Sequence, residues 1–170
     1  MTTRRHFSRS GNAILEAALV IPLLIYLFIG MVEFARVGWT YFSLQKALYA
    51  YARFVSTRPG INLCDETDTQ LAEARTLAVT GGLDGSGEPV VANLRVEDLQ
   101  LRLERVDSVS GDIGECGCSA DGCDVASGGR GPDFVSARLA DGYSMQLRIP
   151  LLPADPIVLR PQVRVPHGAL

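Results

Sequence analysis

The first pattern along the chain is an uncharged apolar run from Ala17 to Val32, which Asn12–Leu15 extends backward across a single acid, Glu16. Together these are about 20 residues, or ~30 Å of helix, which matches the hydrocarbon core of a bilayer. The run predicts a transmembrane helix over residues 12–33. A core helix of a soluble domain would have to be buried all round, which a chain this short does not easily achieve. The period then changes. Phe34, Val37, Tyr41, Leu44, Leu48, Tyr51 and Val55 recur at alternating steps of three and four, with Arg36, Ser43, Gln45, Lys46 and Arg53 on the other side. That stripe predicts an amphipathic extension over residues 34–58, stopped by Pro59-Gly60 and packed on the protein's own domain or on another subunit's helix. Pro22 removes an amide donor and frees the carbonyl of Ala18, which predicts a kink or local loosening within the span.

Residues 59–170 have the pattern of a small α+β domain. Asp68–Thr80 reads as a short helix stopped at Gly81-Gly82. Leu94–Val106 alternates Leu99, Leu101 and Leu103 with Gln100, Arg102 and Glu104. Val135–Ile149 alternates as well, with Asp141-Gly142 as a turn or bulge inside it. Ile157–Val165 is a third strand, which Pro161 assigns to a sheet edge. Between the first two strands, residues 109–132 form a loop rich in Gly, Ser, Asp and Cys. The expected architecture is a long N-terminal helix packed on a small antiparallel sheet.

Charge and cysteine placement give this pattern a direction. Arg4, Arg5 and Arg9 precede the span with no acid among them, so the positive-inside rule places residues 1–11 in the cytoplasm and everything after the span outside it. A cleaved secretory signal fits less well, because the apolar run is long and no small-x-small site follows it. Cys64, Cys116, Cys118 and Cys123 all lie on the exported side, where thiols are oxidised and two disulfides are expected. A Cys116–Cys118 bridge would be strained, so Cys64 is expected to reach into the loop and the two remaining loop cysteines to pair. The C-x-C-x4-C spacing lacks a histidine and matches no common zinc module. Asp107, Asp112, Glu115, Asp121, Asp124 and Asp133 show no EF-hand spacing and read as solvated turn residues. A net charge of −3 and a pI of about 5.4 argue against nucleic acid as a partner. With no G-x-S-x-G, phosphate-binding glycine loop or H-E-x-x-H, no enzyme, metal or cofactor is expected.

Glu16 is the residue that needs a reason. A carboxylate near the start of a membrane helix costs on the order of 2.5–3.5 kcal/mol on insertion scales, so it calls for a partner or for nearby headgroup water. A free α-amino group, made by cutting the chain just upstream on a neighbouring subunit, would serve. The residues Gly11-Asn12-Ala13-Ile14-Leu15-Glu16, after a short Arg-rich leader and before an apolar helix, resemble a type IV prepilin processing site. In that class a membrane aspartyl peptidase cuts after the glycine, and a glutamate stands fifth in the mature chain. The wider stretch Gly11–Arg53, with Ala17-Ala18-Leu19-Val20-Ile21-Pro22-Leu23-Leu24 and Val32-Glu33-Phe34-Ala35-Arg36, resembles the TadE-like family, minor pseudopilins of the tight-adherence (Tad) pilus system. Asn12 stands where a small or apolar residue is more usual, and Ala17 where the major Tad pilins carry an aromatic. The resemblance implies cleavage between Gly11 and Asn12 by a prepilin peptidase. It also implies a pilin-like fold, and charge pairing by Glu16 within the membrane. The implied partners are other pilins or pseudopilins and an inner-membrane assembly platform, with the exported domain in the periplasm. Loss of Arg4, Arg5 and Arg9 would take the formal charge from −3 to about −6 and remove the positive-inside anchor. The competing expectation is an uncleaved single-pass module whose domain binds an envelope partner.

Overall fold

The structure, a computed structural model, describes residues 9–150 and 155–168, with side chains from residue 13 onward. One helix, α1 (Arg9–Thr57), dominates it. It runs through Pro22 without interruption. Beyond its end, Gly60 takes the left-handed conformation at φ +81°.

A second helix, α2 (Thr69–Thr80), lies against the distal part of α1. Its boundaries are chemical. Asp68 Oδ1 accepts the Gln70 amide at 2.8 Å, while Oδ2 accepts the Asn62 amide at 2.9 Å, so one carboxylate caps the helix and orders the approach to it. At the other end Gly81, at φ +76°, donates its amide to the Leu77 carbonyl.

Six strands follow: β1 (Leu99–Val106), β2 (Ile113–Glu115), β3 (Phe134–Leu139), β4 (Tyr143–Met145), β5 (Ile157–Leu159) and β6 (Gln162–Pro166). They make an antiparallel four-stranded sheet in the order β2-β1-β3-β6 and a separate antiparallel pair, β4-β5. This is the α+β fold expected from the pattern, with three differences. The alternation over Val135–Ile149 belongs to two strands in two sheets. The chain turns at Asp141-Gly142, where Gly142 has φ +79° and a Cβ would stand 2.7 Å from Val158 Cγ1 and 2.9 Å from the Leu159 carbonyl oxygen. Ile157–Val165 is likewise split into β5 and β6 at Pro161, which is buried and has no amide to continue a ladder. Residues 109–132 are more than a loop. Val106 pairs with Ile113 and Glu104 with Glu115, so a short edge strand folds back on β1.

The core lies where α1 crosses the sheet. Leu44, Leu48, Tyr51 and Val55 of α1 are fully buried against Leu71, Ala74 and Ala78 of α2, Leu99 and Leu103 of β1, Val135 and Ala137 of β3, and Val165 of β6. Each large side chain removed from water contributes about 1.5–3 kcal/mol. The stripe read from Phe34 is therefore buried only in its distal half. Val37 and Tyr41 are half-buried and Phe34 is 80% exposed, because the sheet meets α1 only from about Leu44 onward.

The sheet's other face is cross-linked by polar groups. Arg138 donates to Gln100 Oε1 at 3.0 Å, Gln162 to Ser136 Oγ at 2.8 Å, and Arg164 to the Glu104 carboxylate. Glu104, on the polar side of the β1 alternation, is buried by this pairing across β3.

Candidate membrane and assembly site on the long helix

Among the described residues nothing covers the first half of α1, where the sequence places the span and Glu16. Ala13–Phe28 is exposed throughout, and among the described residues α1 is the helix long and apolar enough to cross a membrane. Arg4 and Arg5 lie outside the described residues. Arg9, Gly11 and Asn12 are described by backbone alone, which is already helical there. Glu16 stands on the uncovered surface, and among the described residues no cation pairs with it.

Where the apolar run ends, the structure brings together residues that sequence reasoning did not connect. Glu33 is buried, with Oε2 accepting from Arg36 Nη2 at 2.7 Å and from the backbone amide of Arg148 at 3.1 Å. Arg36 Nη2 also reaches the Gln146 carbonyl at 2.6 Å. One ion pair thus ties the chain after β4 to the helix at the edge of its apolar span. A carboxylate in this position is costly unless it is paired and hydrogen-bonded, and here it is both. The available signal was an acid and a base three residues apart at the boundary of the apolar run. Periodicity places them on one side of a helix but says nothing of the distant segment they hold.

The far end of the domain is closed covalently. Cys64 bonds Cys118 and Cys116 bonds Cys123, with Cα–Cα distances of 5.5 and 5.6 Å. The first bridge ties the loop to the segment just beyond α1, and the second closes the loop on itself. The acids around them shape turns. Asp107 accepts the amides of Ser110 and Val109, which hold its carboxyl below the usual range. Asp124 accepts the Ser127 hydroxyl, and Asp133 the Val106 amide, with the same effect on each. Glu115 pairs with Arg102 at 2.7 Å across the edge of the sheet. His167, also at this end, has its Nδ1 buried without a partner among the described residues, and burial pushes its pKa down.

A bare apolar helix long enough to cross a bilayer, continuing as the core helix of a disulfide-closed α+β domain, suggests a protein with a single-pass membrane anchor. Its anchor also has a family likeness: residues 11–53 match the family model of TadE-like protein, over the stretch whose residues resemble that family. The match covers 43 of 170 residues, taking in the bare helix and most of its buried extension, and it relates this segment to proteins associated with the Tad pilus. No curated protein and no solved structure matches the chain at a significant level.

Proposed function

We propose that the protein is a minor pseudopilin of a Tad-type pilus assembly or secretion apparatus, held in the inner membrane with its N-terminus cytoplasmic and its domain periplasmic. A prepilin peptidase removes residues 1–11, cutting between Gly11 and Asn12. Glu16 then pairs with the new α-amino group of a neighbouring subunit, and the subunit helps initiate or cap a filament. The observation that carries this reading is one acid, Glu16, on an otherwise apolar and uncovered stretch of a continuous helix. A free carboxylate there is unfavourable in lipid, and an amine delivered within the membrane removes the penalty. The TadE-like match over residues 11–53 supports it, and the two disulfides suit an oxidising compartment. The role requires no catalysis: the protein acts by assembling with pilins and the membrane platform.

The test is to map the mature N-terminus after co-expression with a prepilin peptidase. The reading expects a chain beginning at Asn12; an intact Met1, or a start far from Asn12, counts against it. Glu16→Ala separates this reading from that of an uncleaved envelope-binding module. It abolishes filament-linked function under the first and leaves the second almost untouched.

A further inference from the structure

The outer end of the membrane span does not open onto bare helix. The Arg148 amide on Glu33 and the Arg36 guanidinium on the Gln146 carbonyl fix the chain after β4 at the height of residues 33–36. Beside this contact lies an open groove of about 560 Å³, between α1, the Val90–Asn93 turn and the segment from Tyr143 to Arg148. Among the described residues its charged lining side chains are Arg36 and Arg148, with no carboxylate in the lining. Trp39, the chain's one tryptophan, stands at its edge with 77% of its surface exposed. At ~1.5 Å per residue, Trp39 lies about 5–10 Å beyond the hydrocarbon edge, whether that edge falls at Arg36 or at Val32. This is the headgroup layer, where amphipathic indoles concentrate.

We infer that this groove is a headgroup site for anionic phospholipid of the outward leaflet, resting on the reading of α1 as a membrane anchor. Arg36 is partly neutralised by Glu33. The Arg148 guanidinium has no ion pair among the described residues, and is the cation free to meet a lipid phosphate. Trp39 and Tyr143 line the same groove, the Tyr143 hydroxyl donating to the Ala92 carbonyl at 2.8 Å. The site is continuous with the span, so a bound headgroup holds the domain down on the bilayer rather than leaving it to swing on its helix.

Trp39 reports on this directly. The full chain is reconstituted in phosphatidylcholine vesicles with and without phosphatidylglycerol, and its emission is measured against a quencher carried by lipid near the headgroup and against aqueous acrylamide. The expected result is strong quenching from the lipid side, greater with phosphatidylglycerol. Arg148→Gln, which keeps the backbone bond to Glu33, lowers that anionic-lipid preference about fivefold, the effect of one cation near a charged surface. Arg148→Lys keeps most of it. Protein that floats with the vesicles while Trp39 is quenched only from water overturns the inference and leaves the anchor intact. So does shielding of Trp39 that appears only as protein density rises, which marks a second copy as the occupant. Protein that fails to float overturns the anchor reading itself.

Discussion

Two acids at opposite ends of the apolar stretch show how differently one residue type is handled. Glu16 is exposed and has no cation among the described residues, whereas Glu33 is buried with an ion pair and an amide. Glu33→Gln keeps the shape but removes the charge from both bonds. A hydrogen bond to a charged group contributes about 1–1.5 kcal/mol more than one to a neutral group, so hydrogen exchange at the Arg148 amide should accelerate by roughly five- to tenfold. Exchange at the β3 amides serves as the unchanged reference. His167 carries a second residue-scale prediction. Burial depresses its folded-state pKa below 6.5, so the unfolded chain binds the proton more readily. Its contribution to stability is therefore complete above pH 6.5 and is lost as pH falls through its lowered value. The carboxylates held low, Asp107, Asp124 and Asp133, act in a separate window below their ordinary value of 3.8. His167→Gln should flatten the fall in the unfolding midpoint that begins as pH drops below 6.5 and leave the more acidic window in place. Glu16 was legible as the odd residue because an acid in an apolar run stands out in one dimension. The partners of Glu33 and the burial of His167 were not, since both depend on segments distant in sequence.

At the scale of elements, local chemistry accounts for the helices and fails at the strand boundaries. Pro59-Gly60 and the Asp68 and Gly81 caps are local signals, and the helices end at them. Alternation, by contrast, passes smoothly over a point where the chain leaves one sheet and enters another. Val135–Ile149 looks like one strand because a tight turn preserves the period of two on either side. What breaks it is Gly142, a position closed to any Cβ by Val158 and the Leu159 carbonyl and held at positive φ. Gly142→Ala should therefore part β4 from β5 and destabilise the domain by roughly 1–3 kcal/mol. Chemical denaturation would read the loss, and exchange should rise first at Tyr143–Met145. The edge strand Ile113–Glu115 was hidden by the composition of the loop around it. Its residues are all exposed, so no buried face leaves a pattern, and only pairing with β1 identifies it.

In the whole molecule, one helix serves two environments and the domain is closed at both ends of the part it covers. At the membrane side the closure is an ion pair; at the far side it is two disulfides. The bridges are unequal. Cys64–Cys118 spans 54 residues and Cys116–Cys123 only 7. In the chain-entropy treatment the longer loop stabilises by about 2 kcal/mol more. Replacing Cys64 and Cys118 together by serine should lower the unfolding midpoint further than replacing Cys116 and Cys123, as measured by thermal melts of the full chain in detergent. An equal loss would mean that the short bridge acts on the folded loop rather than on the unfolded chain.

The amino-acid order alone determined the apolar span, the length of the helix, the α+β class and the isolation of Glu16. Each of these follows from composition or periodicity within a contiguous stretch, where burial in lipid or against a single face imposes its own repeat. The tertiary structure decided the rest: how far along α1 the core begins, how the strands divide between two sheets, which cysteine Cys64 meets, and what Glu33 holds. Those are contacts between residues dozens of positions apart, and their energies come from packing and pairing that no local pattern records. Leu44 is core and Phe34 is not, although both sit on the same stripe, because the sheet reaches only one of them.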